Sequence, residues 1–126
     1  MSSDLRRYRP VLRAPAMARR RAREFLAEAD ADRRCQQVAE LLVSELMTNA
    51  VVHARTAAQL SLSVTDGIAR IEVSDDDPGQ PVLREPDLAP GGFGLRLVER
   101  LAESWGIIPG ENGKVVWFTV PLSAAA

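Results

Sequence analysis

The fold of this chain is decided by the segment Ala39-Glu40-Leu41-Leu42-Val43-Ser44-Glu45-Leu46-Met47-Thr48-Asn49-Ala50-Val51-Val52-His53-Ala54. On a helical wheel of about 100° per residue, four apolar residues form the expected core face: Val38, Leu41, Leu42 and Val52. Glu45 and Asn49 fall within that face one turn apart, and His53 follows at its edge. An unpaired buried carboxylate or amide costs roughly 2–7 kcal/mol. We therefore expect this face to border a polar space that holds a ligand, a metal or water.

Two interpretations of Glu45 and Asn49 are open at this point. In the first, both side chains form one wall of a ligand pocket. In the second, they hydrogen-bond to neighbouring backbone beneath a loop, as most buried polar groups in proteins do. The helix alone does not choose between them, so the choice depends on the rest of the chain.

Length and composition predict one soluble globular domain over residues 1–126, with residues 1–4 and 123–126 frayed. The sequence has no apolar run approaching the roughly 18 residues of a membrane span and no signal-peptide core. Cys35 is the only cysteine, which excludes an intrachain disulfide and suits the reducing cytoplasm. One cysteine and one histidine also argue against a zinc site.

The net charge of −1 hides an uneven distribution. Residues 1–23 hold eight arginines and one aspartate, a net charge of +7, so the remainder carries −8. This basic end is interpreted as a solvated face, a surface for an acidic protein partner or a nucleic-acid surface. Aromatic residues do not alternate with the arginines, which disfavours direct binding of nucleic acid.

Periodicity and turn signals predict three helices and five strands. The predicted helices run from Pro15 to about Ala29, over 33–54, and from Gly94 to about Ser104. The predicted strands are an edge strand over Leu5–Arg13, then 59–64, 69–73, Trp105–Ile108 and Lys114–Leu122. Asp66-Gly67 predicts a hairpin turn. The resulting fold class is α+β, a two-layer sandwich of about three helices on one face of a mixed, mostly antiparallel sheet.

A long connection between the third predicted strand and the third helix is the second candidate for function. Residues 74–92 are rich in Asp, Pro and Gly, and Asp75 opens them at the edge of the sheet. Its carboxylate is suited to accept a hydrogen bond from an exocyclic amine, and Gly79 would let the backbone approach a flat ligand. The segment Gly91-Gly92-Phe93-Gly94-Leu95 then opens a helix, whose free N–H groups favour an anion.

Taken in order, these three groups resemble the N, G1 and G2 boxes of the GHKL (Bergerat-fold) ATPases. The resemblance covers roughly residues 10–122 and is strongest for the anti-sigma factor serine/threonine kinases and related small ATP-binding regulators of actinomycetes. It implies that ATP and Mg²⁺ are the cofactors. Asn49 matches the asparagine that holds Mg²⁺ against the phosphates, and Glu45 matches the general base. His53 stands where the family often has a residue near the phosphates.

The resemblance also implies roles for the glycine-rich positions. Asp75 matches the aspartate that recognises adenine, and Gly79 matches the second glycine of the same box. Gly92, Gly94 and Leu95 match the motif that closes over the phosphates. A sigma factor or an anti-sigma factor antagonist is the implied protein partner, and a homodimer is a family expectation.

Two positions depart from the family pattern. Asp77 stands in place of the first glycine of the G1 box, which adds a charge beside Asp75 and Asp76. These three carboxylates would repel an anionic nucleotide unless they point away or a cation lies between them. Lys114-Val115 lacks the threonine often found after Gly113.

Three functions follow from this sequence. The favoured one is a protein serine/threonine kinase that binds a regulatory partner, because Glu45 is present. A nucleotide-sensing module without catalysis is the alternative that Asp77 favours. The third is an ATP-independent interaction protein that uses the arginine-rich helix containing Arg19, Arg20 and Arg21. A histidine autokinase is disfavoured, since the only histidine, His53, lies within the nucleotide box.

Overall fold

The elements of the protein alternate between helices and antiparallel strand pairs. The structure is a computed structural model that describes residues 2–77 and 94–123. Its helices are α1 (Ala14–Glu28), α2 (Arg33–Thr48), a π-helical turn (Asn49–His53) and α3 (Gly94–Leu101). Its strands are β1 (Ser2–Tyr8), β2 (Ala58–Thr65), β3 (Ile68–Asp75), β4 (Ser104–Pro109) and β5 (Lys114–Pro121).

The five strands form one sheet in the order β1-β2-β3-β5-β4, and each of its four pairings is antiparallel. Alternate side chains of the three central strands are buried beneath the helices, as the period of two requires. These buried residues are Ala58, Leu60, Leu62, Ala69, Ile71, Val73, Val116, Phe118 and Val120. Helix α2 packs against α1, β3 and β5. The predicted α+β sandwich is confirmed.

Local signals in the sequence set most of the boundaries. Asp32 caps α2, because its carboxylate accepts a hydrogen bond from the Cys35 N–H at 2.8 Å. Asp66 and Gly67 have positive φ angles of 53° and 77°. A two-residue hairpin turn of type I′ requires this left-handed conformation at both positions. Pro15 lies in the first turn of α1, where its missing N–H costs nothing.

The first strand begins earlier than its weak alternation predicted. β1 spans Ser2–Tyr8 rather than Leu5–Arg13, because it pairs with β2 from Ala58 to Val64. Residues 2–4, predicted to be frayed, are therefore part of the sheet. Residues 1 and 124–126 lie outside the described residues.

The buried side of α2 also differs from the predicted one. Leu41, assigned to the core face, is 41% exposed, and Val52 is only partly buried. Because α2 packs against both α1 and the sheet, its buried side is broader and is turned toward Ala39 and Val43. Glu45 and Asn49 therefore lie at the border of the core, where they are half-buried.

The edge strand β1 is fastened to α1 by an ion pair on its inward face. The Asp4 carboxylate accepts a hydrogen bond from Arg21 Nε at 3.0 Å and a second from Arg6 Nε at 3.2 Å. The Arg21 hydrogen bond outweighs the effect of burial and lowers the pKa of Asp4 below its ordinary value of 3.8. This interaction stabilises the folded state at every pH above that value.

We expect Asp4→Asn to lower the free energy of unfolding at pH 7. The difference from the wild-type protein should shrink as the pH falls below 3.8, since protonation of the wild-type carboxylate removes the same interaction. Urea titrations at several pH values measure this difference. In an Arg21→Met background the effect of Asp4→Asn should be much smaller. An equal effect in both backgrounds would show that the pair does not stabilise the fold.

Candidate functional site

Helix α2 runs along the sheet from one end to the other. At its start the Asp32 N–H donates to the Leu122 carbonyl oxygen at 2.7 Å, so α2 begins beside the end of β5. Its 16 residues span about 24 Å, and the eight residues of β5 span about 26 Å. The far end of α2 therefore reaches the opposite end of the sheet, where β3 ends at Asp75 and β5 begins at Lys114.

A π-helical turn ends this helix at the candidate site. The Ala54 N–H donates to the Asn49 carbonyl at 2.9 Å, which is an i to i+5 bond. The Thr56 N–H donates to the Ala50 carbonyl at 3.1 Å, and Thr56 Oγ1 accepts a hydrogen bond from the Asp76 N–H at 3.3 Å. The end of the helix is thus tied to the end of β3, although the sequence had predicted a regular helix to residue 54.

Glu45 and Asn49 are half-buried at this end of α2. Within residues 2–77 and 94–123, neither the Glu45 carboxylate nor the Asn49 amide has a hydrogen-bond partner. No fully buried side-chain nitrogen or oxygen in the same ranges lacks a partner, so these two polar groups retain accessible surface. This arrangement favours the pocket-wall interpretation over hydrogen bonding to the described backbone.

The start of α3 lies directly against Asn49. A Cβ atom on Gly94 would lie 2.8 Å from Asn49 Nδ2 and 3.8 Å from Glu45 Cβ. The adjacent Leu95 is 7% exposed and anchors α3 in the core. The first-turn N–H groups of a helix have no partner inside it and carry a partial positive charge. The fold therefore brings a carboxylate, an amide and an anion-attracting helix end together.

The candidate residues Gly79 and Gly92 lie outside the described residues. His53 is exposed at the end of the π-helical turn. Its imidazole makes no hydrogen bond to the other candidate residues in the described part of the chain. Four of the candidate residues are thus brought together, namely Glu45, Asn49, Gly94 and Leu95.

Asp75 is paired with Lys114. The sequence had drawn attention to Lys114 only because the family often has a threonine after Gly113. Lys114 Nζ lies 3.0 Å from Asp75 Oδ2 and 3.1 Å from Oδ1, and the Asp77 N–H donates to Oδ1 at 2.9 Å. Only 9% of the Asp75 side chain and 12% of the Lys114 side chain are exposed. Antiparallel pairing explains the contact, because Asp75 at the end of β3 lies opposite Lys114 at the start of β5.

Two cationic side chains lie beside the three consecutive aspartates Asp75, Asp76 and Asp77. Lys114 Nζ also lies 3.8 Å from Asp77 Oδ2, and Arg7 reaches Asp76 at 3.4 Å. The predicted repulsion of an anionic nucleotide is therefore reduced by positive charge at the same end of the sheet.

The arginines of α1 have partners within the protein. Arg19 donates to Ser44 Oγ at 3.3 Å, Arg21 binds Asp4, and Arg23 donates to Glu40 at 3.1 Å. Arg20 lies 3.4 Å from Glu24 on the same helix. Much of the basic charge is consequently balanced inside the molecule and helps hold α1 on α2 and β1.

The described residues hold no group of three or more His, Cys, Asp or Glu side chains that could bind a metal ion. No helix found in these same parts of the chain is long and apolar enough to cross a membrane.

Comparison with known proteins identifies this architecture. Residues 9–120 match the family described as histidine kinase-like ATPase domain. No curated protein sequence matches the chain. The chain resembles the RsbU and RsbW domains of Rv1364c from Mycobacterium tuberculosis, with a TM-score of 0.76 at 22% identity over 96% of this chain and 32% of that one. This likeness shows the fold.

A second solved structure has the same fold at lower structural similarity. It is the histidine kinase domain of the blue-light activated histidine kinase from Erythrobacter litoralis, with a TM-score of 0.56 at 26% identity. The match covers 86% of this chain and 60% of that one. The present chain therefore spans less than two thirds of either matched structure.

The contact between Gly94 and Asn49 can be tested by NMR. We expect Gly94→Ala to push the Asn49 amide aside and shift its side-chain N–H signals, because the new Cβ would overlap Nδ2. The amide can rotate away, so the free energy of unfolding should change by less than about 1 kcal/mol. Asn112, exposed in the β4–β5 turn and the only other asparagine, is the internal control. Unchanged Asn49 signals would contradict the observed packing.

Proposed function

This chain belongs to the histidine kinase-like ATPase domain family, and we propose that it binds ATP with Mg²⁺ and transfers the γ-phosphate to a Ser or Thr of a regulatory partner protein. The observation that carries the proposal is the contact of Gly94 with Asn49. It brings the start of α3, which attracts phosphate, to the face of α2 that holds Glu45.

In this proposal the phosphates lie between Asn49 and the start of α3. The N–H groups of the first helical turn hydrogen-bond phosphate oxygens, and the helix dipole favours their negative charge. Gly92 and Gly94 allow the backbone to approach the phosphates, and Leu95 keeps α3 seated in the core. Asp75 accepts a hydrogen bond from the base, with Gly79 close to the ring.

The residues present fit a Mg²⁺ ion that arrives with the nucleotide. Mg²⁺ binds one or two protein ligands together with substrate phosphates and water. Asn49, whose side-chain oxygen accepts no hydrogen bond in the described part of the chain, would supply the protein ligand. When bound, Mg²⁺ neutralises the charge that develops on the transferred phosphoryl group.

Glu45 is the proposed general base. Its carboxylate lies one helical turn before Asn49 and has no cation bonded to it among the described residues. It can therefore accept the proton of a Ser or Thr hydroxyl as the phosphoryl group leaves ATP. A His53 contact with the phosphates remains part of the proposal.

The proposed partner is a sigma factor, an anti-sigma factor antagonist or both. This proposal extends the family assignment and the likeness to a structure that contains an RsbW domain. We propose a cytoplasmic location, where ATP is available and where Cys35 would remain reduced.

A nucleotide-sensing module without phosphotransfer is the second candidate. The observation that favours it is the base end of the site, where Asp77 replaces a glycine and Asp75 is already paired with Lys114. In this alternative, ATP binding changes only the affinity for the partner.

Calorimetric titration with Mg-ATP tests the site. We expect Asn49→Ala to weaken binding at least about tenfold, since it removes the metal ligand and a hydrogen bond to a charged group. Asn112→Ala is the matched control and should bind like the wild-type protein. If the wild-type chain gives no heat and no thermal shift with millimolar Mg-ATP, the proposal fails.

The second test separates catalysis from binding. We expect Glu45→Gln to reduce phosphotransfer from ATP to an antagonist protein by at least about 100-fold, while Mg-ATP affinity stays within about threefold. Glu40→Gln is the control on the same helix, because Glu40 is bonded to Arg23 instead of facing the site. The acceptors are the antagonist proteins encoded in the source genome, incubated with γ-labelled ATP. If the protein binds ATP but none of the candidate acceptors becomes labelled, the result would favour the nucleotide-sensing module.

A further inference from the structure

The only lysine of the sequence lies at the base end of the proposed nucleotide site. Apart from His53, all other basic residues of the chain are arginines. Lys114 faces the helix layer, because it pairs with Asp75 in the same alternation that turns Val73 and Val116 inward. Its ammonium group is therefore held beside the carboxylate that is proposed to recognise the base.

The hydrogen bonds of this pair leave one acceptor and one donor unused. Asp75 Oδ1 accepts from the Asp77 N–H at 2.9 Å and from Lys114 at 3.1 Å. Asp75 Oδ2 is 3.0 Å from Lys114 Nζ and has a second lone pair. Lys114 has three N–H donors; one serves Asp75 and another reaches the Asp77 carbonyl oxygen at 3.4 Å. The third Lys114 N–H makes no hydrogen bond within the described residues, its next neighbour there being Asp77 Oδ2 at 3.8 Å, and Asp75 Oδ2 keeps its second lone pair.

We propose that Lys114 and Asp75 together recognise the edge of adenine, an inference that rests on the proposed function. Asp75 Oδ2 accepts a hydrogen bond from the exocyclic amine at position 6, and Lys114 Nζ donates one to the ring nitrogen N1. A 6-oxo purine presents the reverse order, an acceptor at position 6 and a donor at position 1, and meets like groups in this orientation. Lys114 is therefore a residue that determines base specificity.

The test compares ATP with 1-deaza-ATP, in which a C–H replaces N1. We expect the wild-type protein to bind 1-deaza-ATP at least about tenfold more weakly, since the analogue loses a hydrogen bond from a charged donor. In Lys114→Met the two nucleotides should bind equally. Purine riboside triphosphate lacks the amine at position 6. It should bind more weakly than ATP to both proteins, because it loses the hydrogen bond to Asp75. Calorimetry gives all six affinities.

Arg70→Met is the matched control variant. Arg70 is also a strand cation bonded to a carboxylate, at 2.8 Å from Glu72, but it lies over the Trp117 ring on the opposite face of the sheet. The ratio of ATP to 1-deaza-ATP affinity should be the same in this variant as in the wild-type protein.

A second measurement needs no substitution. Protein labelled with ¹⁵N only in lysine side chains gives a single ammonium signal, because the chain has one lysine. ATP should shift this signal, and saturating 1-deaza-ATP should shift it less than half as far. This experiment decides the question even if Lys114→Met does not fold.

The outcomes distinguish this inference from the proposed function. Equal affinity of the wild-type protein for ATP and 1-deaza-ATP would overturn the role of Lys114 and leave ATP binding intact. A tenfold difference that persists in Lys114→Met would also overturn it. Absence of ATP binding would overturn both.

Discussion

The placement of α2 along β3 and β5 is the constraint on which the remaining structure depends. Its start is fixed by the Asp32 cap and by the hydrogen bond from Asp32 to Leu122. Its end is fixed by Thr56, which joins the π-helical turn to Asp76. The apolar side chains between these two points fill the space above the sheet. This close packing fixes the position of the polar residues at the border of the core.

In the proposed site, different layers of the fold would hold the two ends of the nucleotide. The residues for the phosphates come from helices, with Asn49 on the π-helical turn and Gly94 at the start of α3. The residues for the base come from strands, because Asp75 ends β3 and Lys114 begins β5. In the proposed site the sheet would determine the position of the base, while the helix packing would determine the position of the phosphates. The two requirements are met by separate sets of contacts.

Sequence periodicity predicted most of the fold, because buried strands and helices leave patterns that need only local information. The Asp66-Gly67 turn was found for the same reason. Leu41 was assigned to the wrong face, since the sequence does not show that α2 packs on two partners at once. The hydrogen bond between Thr56 and Asp76 beside the π-helical turn depends on where the helix meets β3, and the Asp75–Lys114 pair depends on strand register. Both are long-range contacts that no local pattern reports.

The cross-strand position of Lys114 has an evolutionary consequence. The pleat of the sheet already points the first residue of β5 at the end of β3. If Lys114 recognises the base as proposed, one codon at that position would set which base the protein accepts, with no change in the helices or the hydrogen bonds of the sheet. A domain of this design would then acquire a new nucleotide preference in a single mutational step, while the residues proposed to bind the phosphates are inherited unchanged.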